Sequence, residues 1–514
     1  MSSLDNPVSA YFEVTPTQAT IAKNQTCQIS YSTISDGKVT FKSSAENIAT
    51  VDANGLVTAK TAGTAIITVE LAATPYYQGA TKNVEISVDA VLSIDATEVT
   101  VGYGASINLV KDYHLARKGE ATINYEIIEG GDFITLDETT KDITGKACGN
   151  AKVKVSVPAS ATASSDELVI DVKARIQDLT QLKTAIAAVE EGGEYTALLS
   201  DEKIITIDET LDLTKKKVTL KGDDGKPAKI TLSKSFVIYD NFTLENVDIN
   251  ASGVTGALFQ LATSPSVDKL PIDDGSGTSD YYGIEKITLK KAKITGVKGS
   301  ILYDNNIKYC VVALTFDDCQ FDLQTESVDN AAIISFKQGG VKDLTIKNST
   351  FSGNDAVGRY FVRYNNSARI DRFGFVNAED TWSFTYINNT FYNLLLDVAP
   401  NNDKAEWGNY GGMCGNGKEK LGVITVNNNI WYNCDSQTMR RMLSSKNFSA
   451  FKAGSTMANN TFWFSGAAVD QGSYGNGSDL TTDPNFVNAP TNLKPQGEKQ
   501  VTNQTGDPRW YKTN

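Results

Sequence analysis

A seven-residue pattern recurs through the C-terminal two-thirds of the chain, and it limits the fold more than any other feature. Its copies lie at 243–249 (TLENVDI), 288–294 (TLKKAKI), 315–321 (TFDDCQF), 345–351 (TIKNSTF), 385–391 (TYINNTF), 425–431 (TVNNNIW) and 456–462 (TMANNTF), set 27 to 45 residues apart. Strict internal order at irregular spacing suits a solenoid. One coil takes roughly 20 to 30 residues, and longer steps hold inserted loops. The residue before Thr is apolar in six copies and the residue after it in all seven. With the period of two of a strand, those residues face inward and the Thr column faces out. The fourth position (Asn246, Lys291, Asp318, Asn348, Asn388, Asn428, Asn459) falls at a bend between strands, where stacked Asn side chains can bond one another and the backbone. The seventh (Ile249, Ile294, Phe321, Phe351, Phe391, Trp431, Phe462) is an internal stack that removes Trp431 from any surface role. A further strand is expected after each copy, including 258–261, 301–303, 333–337, 360–364, 394–396 and 439–443.

Upstream of the repeat, 178–189 places Leu179, Leu182, Ile186 and Val189 on one helical face behind Asp178, a good N-cap. A short helix there would cover the open edge of the first coil. Residues 7–90 instead alternate apolar and polar residues in short runs broken by Gly, Asn and Asp, the pattern of an antiparallel sandwich. Within them, Val51-Asp52, Ala53-Asn54-Gly55 and Leu56-Val57-Thr58 read as strand, turn and strand. A weaker copy occupies 91–174, where Thr144 to Gly149 repeats the step from Thr58 to Gly63. The reading is all-β: two sandwiches, 1–90 and 91–174, then a parallel β-helix with a short N-terminal capping helix, 175–514.

The run 41–69, FKSSAENIATVDANGLVTAKTAGTAIITV, closely resembles bacterial immunoglobulin-like domains of group 2, which usually serve as stalks or spacers. The segments 483–486 (DPNF) and 506–510 (GDPRW) resemble the closing segments of pectate-lyase-like β-helix proteins from the polysaccharide-utilisation systems of gut Bacteroidetes. The whole arrangement resembles a surface glycan-binding protein of such a system. That resemblance implies a lipoprotein at the cell surface, anchored in the outer membrane after removal of a leader. It further implies a polysaccharide ligand, a glycan-importer complex nearby and a monomeric state.

The net charge of −13 argues against a nucleic-acid partner, because phosphate binding is driven by Lys and Arg. The cysteines show no metal-ligand spacing, and Cys414 and Cys434 either pair or stand as single thiols. The only histidine is His114, so no histidine serves the repeat domain. The Asn-Thr-Asp, Gly-His-Gly and Arg-Ile-Lys elements of polygalacturonase-like hydrolases are missing. Asp317 and Asp318 hold adjacent repeat positions and cannot point the same way. A Ca²⁺-dependent polysaccharide lyase is the alternative, with Lys337 and Arg363, at comparable places on successive strands, as candidate bases and Ca²⁺ as cofactor. No metal site and no cofactor are expected otherwise. A structural adhesin is the third reading.

For binding, sugars stack their C–H faces on aromatic rings. Trp463, one step past the inward position, should face out. Trp382 lies three residues before an outward Thr, and Trp407 and Tyr410 lie in a Gly/Asn-rich insertion. Six of the nine arginines, Arg363 and Arg440 among them, fall between 359 and 441. Their forks suit the carboxylates of a uronic-acid polymer or those of Asp371, Asp380, Asp397 and Glu406. The glycan candidates are therefore Trp407, Tyr410, Trp463, Trp382, Arg363 and Arg440, with a pectin-type chain as ligand.

Overall fold

The structure, a computed structural model, describes residues 7–89, 91–159, 165–273, 278–324, 332–353, 360–363, 374–375, 382–394, 422–434, 453–464, 467–468 and 482–512. The chain forms two compact units, Met1–Ala174 and Arg175–Asn514.

The first unit holds two sandwiches, and the first departs from the expected antiparallel pattern where Gln18–Ala22 runs parallel to Ala80–Asp89 and Val8–Ser9 to Tyr77–Gln78. In the first, a four-stranded sheet runs Gln18–Ala22, Ala80–Asp89, Gly63–Leu71, Val39–Ser43, facing a three-stranded sheet of Thr26–Gln28, Leu56–Ala59 and Ala49–Val51. Gly63–Leu71 buries alternate residues, so Ala65, Ile67 and Val69 join Val57, Val84 and Ile86 in one core. The hairpin at Asp52 forms as the sequence indicates, but Gly55 alone takes positive φ (81°). The Asp52 carboxylate accepts the Asn54 and Leu56 amides, which fixes the turn without a left-handed Asn54. The second sandwich repeats the plan around Val153, Val155, Ile170 and Val172. Asp166 ties the two together: it accepts the Val91 and Leu92 amides at 3.0 and 2.8 Å and pairs with Lys23 at 2.7 Å.

The second unit is a stack of coils with three faces of parallel strands. The longest face orders Glu194–Leu199, Lys217–Gly222, Phe242–Glu245, Thr278–Lys290, Tyr309–Asp317, Gly340–Lys347, Trp382–Ile387, Gly422–Asn427 and Thr456–Ala458. Each repeat supplies one strand of this face and, after its bend, one of the second. The Thr column runs in register through all seven copies and continues upstream through Thr219 and Thr196, two coils the repeat did not reveal. The short third face stacks Phe236–Ile238, Phe259–Leu261, Leu302–Tyr303, Ala332–Ser335 and Tyr360–Arg363. Leu179–Ala187 is the expected helix: Asp178 caps it by accepting the Gln181 amide, and Leu182, Ala185 and Ile186 are buried.

The internal stack is present, with Phe321, Phe351, Phe391, Trp431 and Phe462 packed at centroid spacings of 4.6, 5.5, 5.1 and 4.9 Å. The bend divides its labour where the sequence suggested a single Asn column. Every fourth-position residue, Lys291 and Asp318 included, takes a φ of 50–58°. The buried ladder stands one residue later: Asn429 Oδ1 accepts the Asn389 amide, and Asn460 Oδ1 accepts that of Asn429, both at 3.0 Å. Asn389, Asn429 and Asn460 each also donate to the carbonyl of the residue after Thr in the preceding coil, at 2.7 to 2.8 Å. Cys319 fills the same rung, with Sγ against Leu289 O, and burial pushes its thiol up to about 12. Asp317 and Asp318 part as expected, Asp317 toward Lys347 and Asp318 toward Arg509.

The last described segment folds back across these coils. Gln500 donates to Thr461, Gly506 to Asn428 O, the Asp507 amide to Thr390, and Arg509 to Asp318, Cys319 O and Asn348 O. This strap buries Thr350, Thr390 and Thr461, which would otherwise face solvent.

Candidate functional site

Of the residues singled out for glycan contact, Trp407, Tyr410 and Arg440 lie outside the described residues, as does Cys414. For Trp382 and Arg363 the backbone is described: Trp382 starts the strand Trp382–Ile387, and Arg363 ends Tyr360–Arg363. Trp463 does lie off the internal stack, in the outward column Ser352, Tyr392, Tyr432, Trp463. It is half-buried there. Its indole nitrogen is covered and has no acceptor among the described residues. Phe486 from the strap packs on Tyr392 and Tyr432, so this column serves mainly as a seat for the tail.

Lys337 is exposed and falls just past Ala332–Ser335 on the third face. Arg363 pairs with Ser335 there, so Lys337 sits two residues beyond the level of Arg363. What surrounds Lys337 is a polar and aromatic patch built over three coils. Leu302 points into the core, so Tyr303 must point out, where it is half-buried. The Lys337 ammonium stands over the Tyr303 ring, 5.4 Å from its centroid. Asn305 and Asn306 both take positive φ, which turns the chain sharply and frees their amides. Asn306 Nδ2 donates to the Tyr303 hydroxyl at 2.9 Å, and Asn305 Nδ2 donates to Gln260 Oε1 at 3.2 Å and Leu261 O at 2.7 Å.

Asp304 holds this arrangement from below. It is fully buried, and its Oδ2 accepts the Gln338 and Gly339 amides at 2.7 and 2.8 Å, while Oδ1 accepts that of Asn306 at 3.1 Å. Both oxygens are thus committed to backbone. Gly339 is needed because a Cβ there would lie 2.2 Å from Tyr309 O. Tyr309 is itself buried and donates to Ala262 O, and burial raises its phenol well above the ordinary range. The patch therefore presents Gln260, Tyr303, Asn306 and Lys337 on a rigid base.

Tyr303 does not stand out among glycan candidates when tryptophans are ranked first. Its signal was an outward Tyr after two apolar residues, followed by Asp-Asn-Asn. A larger concavity of about 510 Å³ opens on the first face, lined by Glu191, Lys215, Asp240, Asn241 and Glu285 among others. Within it Lys215 pairs with Glu191 at 2.9 Å, and the Asn241 amide donates to Glu285 at 3.2 Å. Among the described residues, no three His, Cys, Asp or Glu side chains are grouped to hold a metal ion. Among them, no helix is long and apolar enough to cross a membrane.

Comparison with known families accounts for two stretches of the chain. Residues 10–74 match the bacterial Ig-like domain (group 2), and residues 204–353 match a domain of unknown function, DUF4957. The N-terminal Ig-like domain and the parallel β-helix together make this an all-β chain. No curated protein matches it. Among solved structures, domains 4 and 5 of the S-layer protein SbsC align at 15% identity over 33% of this chain and 99% of that one, with a TM-score of 0.13. Drosophila N-cadherin EC1-4 aligns at 12% identity over 33% of this chain and 50% of its own, with a TM-score of 0.17. A SusE-like surface-located polysaccharide-binding protein from the Bacteroides thetaiotaomicron heparin utilisation locus aligns at 15% identity, TM-score 0.17, over 32% of this chain and 34% of its own. This chain thus spans half of the second relative and about a third of the last.

Proposed function

We propose that this chain is a non-catalytic, cell-surface polysaccharide-binding protein. In this reading the immunoglobulin-like unit is a spacer, the β-helix is the binding head, and the ligand is a pectin-type, uronic-acid-containing chain. A lipid anchor in the outer membrane, a neighbouring glycan importer and a monomeric state belong to the same proposal. The observation that carries it is the third-face patch: Tyr303 is held outward by Asn306, with Lys337 over its ring and Gln260 beside it. An aromatic edge with fixed amides and one cation suits a sugar bearing hydroxyls and a carboxylate. Asp304, the one carboxylate hydrogen-bonded into this turn among the described residues, is buried and committed to backbone amides, which supports binding over proton transfer.

Affinity electrophoresis of the full chain in gels containing polygalacturonate tests the reading. Retardation that Tyr303→Ala and Lys337→Ala weaken is the expected result. Incubation with polygalacturonate and Ca²⁺, followed at the absorbance of the unsaturated product, is the companion assay. Product whose formation stops in Lys337→Ala or Arg363→Ala would replace the binding reading with a lyase. No retardation by a panel of polysaccharides, with no cleavage, would leave a structural adhesin.

A further inference from the structure

Among the described residues, the second face of the β-helix is covered by the strap at one end and left bare at the other. Its sixth-position column runs, strand by strand, Ile204, Lys229, Asp248, Lys293, Gln320, Thr350, Thr390, Ile430, Thr461. The strap lies along the lower part, burying Thr350, Thr390 and Thr461 to 4% exposure or less. It binds there through the turn between the helix Glu498–Asn503 and the 3-10 helix Pro508–Tyr511, placing the Asp507 carboxylate 2.7 Å from Thr350 Oγ1 and its amide 3.0 Å from Thr390 Oγ1. Above the strap the column continues uncovered along a shallow groove of about 300 Å³. Ile204, 63% exposed, gives the groove an apolar shelf, and Thr231, Asn250 and Thr295 stack beside it as a row of hydroxyls and an amide.

The charges in this groove differ from those elsewhere on the coils. On the first face, Lys221 and Lys290 share Glu245 at 3.4 and 3.5 Å, and Lys347 pairs with Asp317 at 3.2 Å. Lys229 and Lys293 are both exposed and flank Asp248, yet neither has a carboxylate within ion-pair distance among the described residues. Two strands apart, they stand roughly 10 Å from each other. That distance suits carboxylates on alternate units of a 1,4-linked hexuronan lying along the helix axis. Burial raises the Asp248 carboxyl above its ordinary range, while Lys293 and Lys229 on either side pull it down.

We propose that this bare stretch is a second glycan subsite, selective for a polyuronate, in which Lys229 and Lys293 each take a carboxylate while Thr231, Asn250 and Thr295 bond the hydroxyls. The inference rests on the glycan-binding reading and adds to it a site and a charge preference. It also reconciles a net charge of −13 with an anionic ligand, because the two lysines outnumber the one carboxylate between them and give the groove a local positive excess.

The test compares the full chain with a Lys229→Gln/Lys293→Gln double variant in gels containing polygalacturonate or its fully methyl-esterified form, at low and high salt. Both lysines are exposed, so the variant folds, and circular dichroism checks that it does. The expected result is an apparent Kd for polygalacturonate about fivefold to tenfold weaker, reduced salt sensitivity, and unchanged binding of the ester. A double variant that binds polygalacturonate as tightly as the parent overturns the subsite and leaves the third-face reading intact. A loss equal for acid and ester overturns the charge role. A parent chain retarded by no polysaccharide sinks the glycan reading and this subsite together.

Discussion

Arg509 reaches back 191 residues to Asp318, setting its Nη2 2.9 Å from Oδ1. The same guanidinium donates to Asn348 O and Cys319 O and, through Nε, to Asp507 at 2.6 Å. One side chain thus links the tail to two successive bends. Arg509→Ala would leave Asp507, 1% exposed, as a buried carboxylate without its cation. Breaking such a pair from one side costs about 3 kcal/mol or more. The denaturation midpoint of the β-helix should fall accordingly, and a second change, Asp507→Asn, should recover part of the loss. A midpoint within error of the parent would show that the strap contributes nothing to stability.

Burial pushes the Asp507 carboxyl up to about 6, with Arg509 pulling against it. A carboxyl whose pKa is higher folded than unfolded holds its proton more firmly in the folded state. Its stabilising contribution is therefore complete below about 4 and is lost as pH rises through about 6. Asp507→Asn does not titrate. The Tm of the parent minus that of the variant should fall between pH 4 and pH 7, measured by differential scanning calorimetry. A difference that grows with pH over that window would reverse the sign.

The repeat made most of the β-helix legible, because strand alternation turns residue type directly into facing. That is why Thr315, Phe316 and Phe321 could be assigned in advance, and why Trp431 was removed from the surface. The bend was harder. Asn388-Asn389, Asn428-Asn429 and Asn459-Asn460 put the same residue in two adjacent columns, and type alone could not separate a backbone role from a hydrogen-bonding one. Lys291 and Asp318 in one column, against Cys319 and Ser349 in the other, carried the distinction. The closing segments stand out as DPNF and GDPRW, but the contacts of the strap are not legible, since its partners lie 39 to 191 residues away in sequence. Tyr303 was readable as an outward residue. Its partnership with Lys337 was not, because that depends on which coils become neighbours.

The two Asn columns should respond oppositely to glycine. Asn428 is left-handed, with φ of 58°, and Gly adopts that conformation without strain. Asn428→Gly should change stability by less than about 1 kcal/mol. Asn429 is fully buried, accepts from Asn389, and donates to Tyr386 O at 2.8 Å and Asn460 Oδ1 at 3.0 Å. Asn429→Gly orphans several buried groups at about 1 to 3 kcal/mol each. Urea denaturation of the two variants side by side decides it, and equal losses would mean the ladder carries no special weight.

The two adjacent tryptophan positions should also separate. Trp431 is 2% exposed and sits between Phe391 and Phe462 at 5.1 and 4.9 Å. Truncating it to Ala removes the centre of the stack, for about 3 to 5 kcal/mol. Trp463 is half-buried on the outer column, so Trp463→Ala should cost clearly less. Thermal melts of both variants would show the order, and a reversed order would contradict the assigned facing.

Asp304 gives the sharpest test of how the third face is held. It is itself buried, yet its Oδ2 anchors the backbone at Gln338 and Gly339, directly after Lys337. Asp304→Asn keeps one acceptor oxygen and converts the other into a donor facing an amide donor, so at least one of the three bonds fails. If Asp304 positions Lys337, affinity for polygalacturonate should fall about as far as it does in Lys337→Ala, and the double variant should lose no more than either alone. If Asp304 only stabilises the fold, the melting temperature will drop while affinity at a low temperature stays at the parent value. Additive losses in the double variant would show that the two residues act independently, and Asp304 would then have no part in setting the cation over Tyr303.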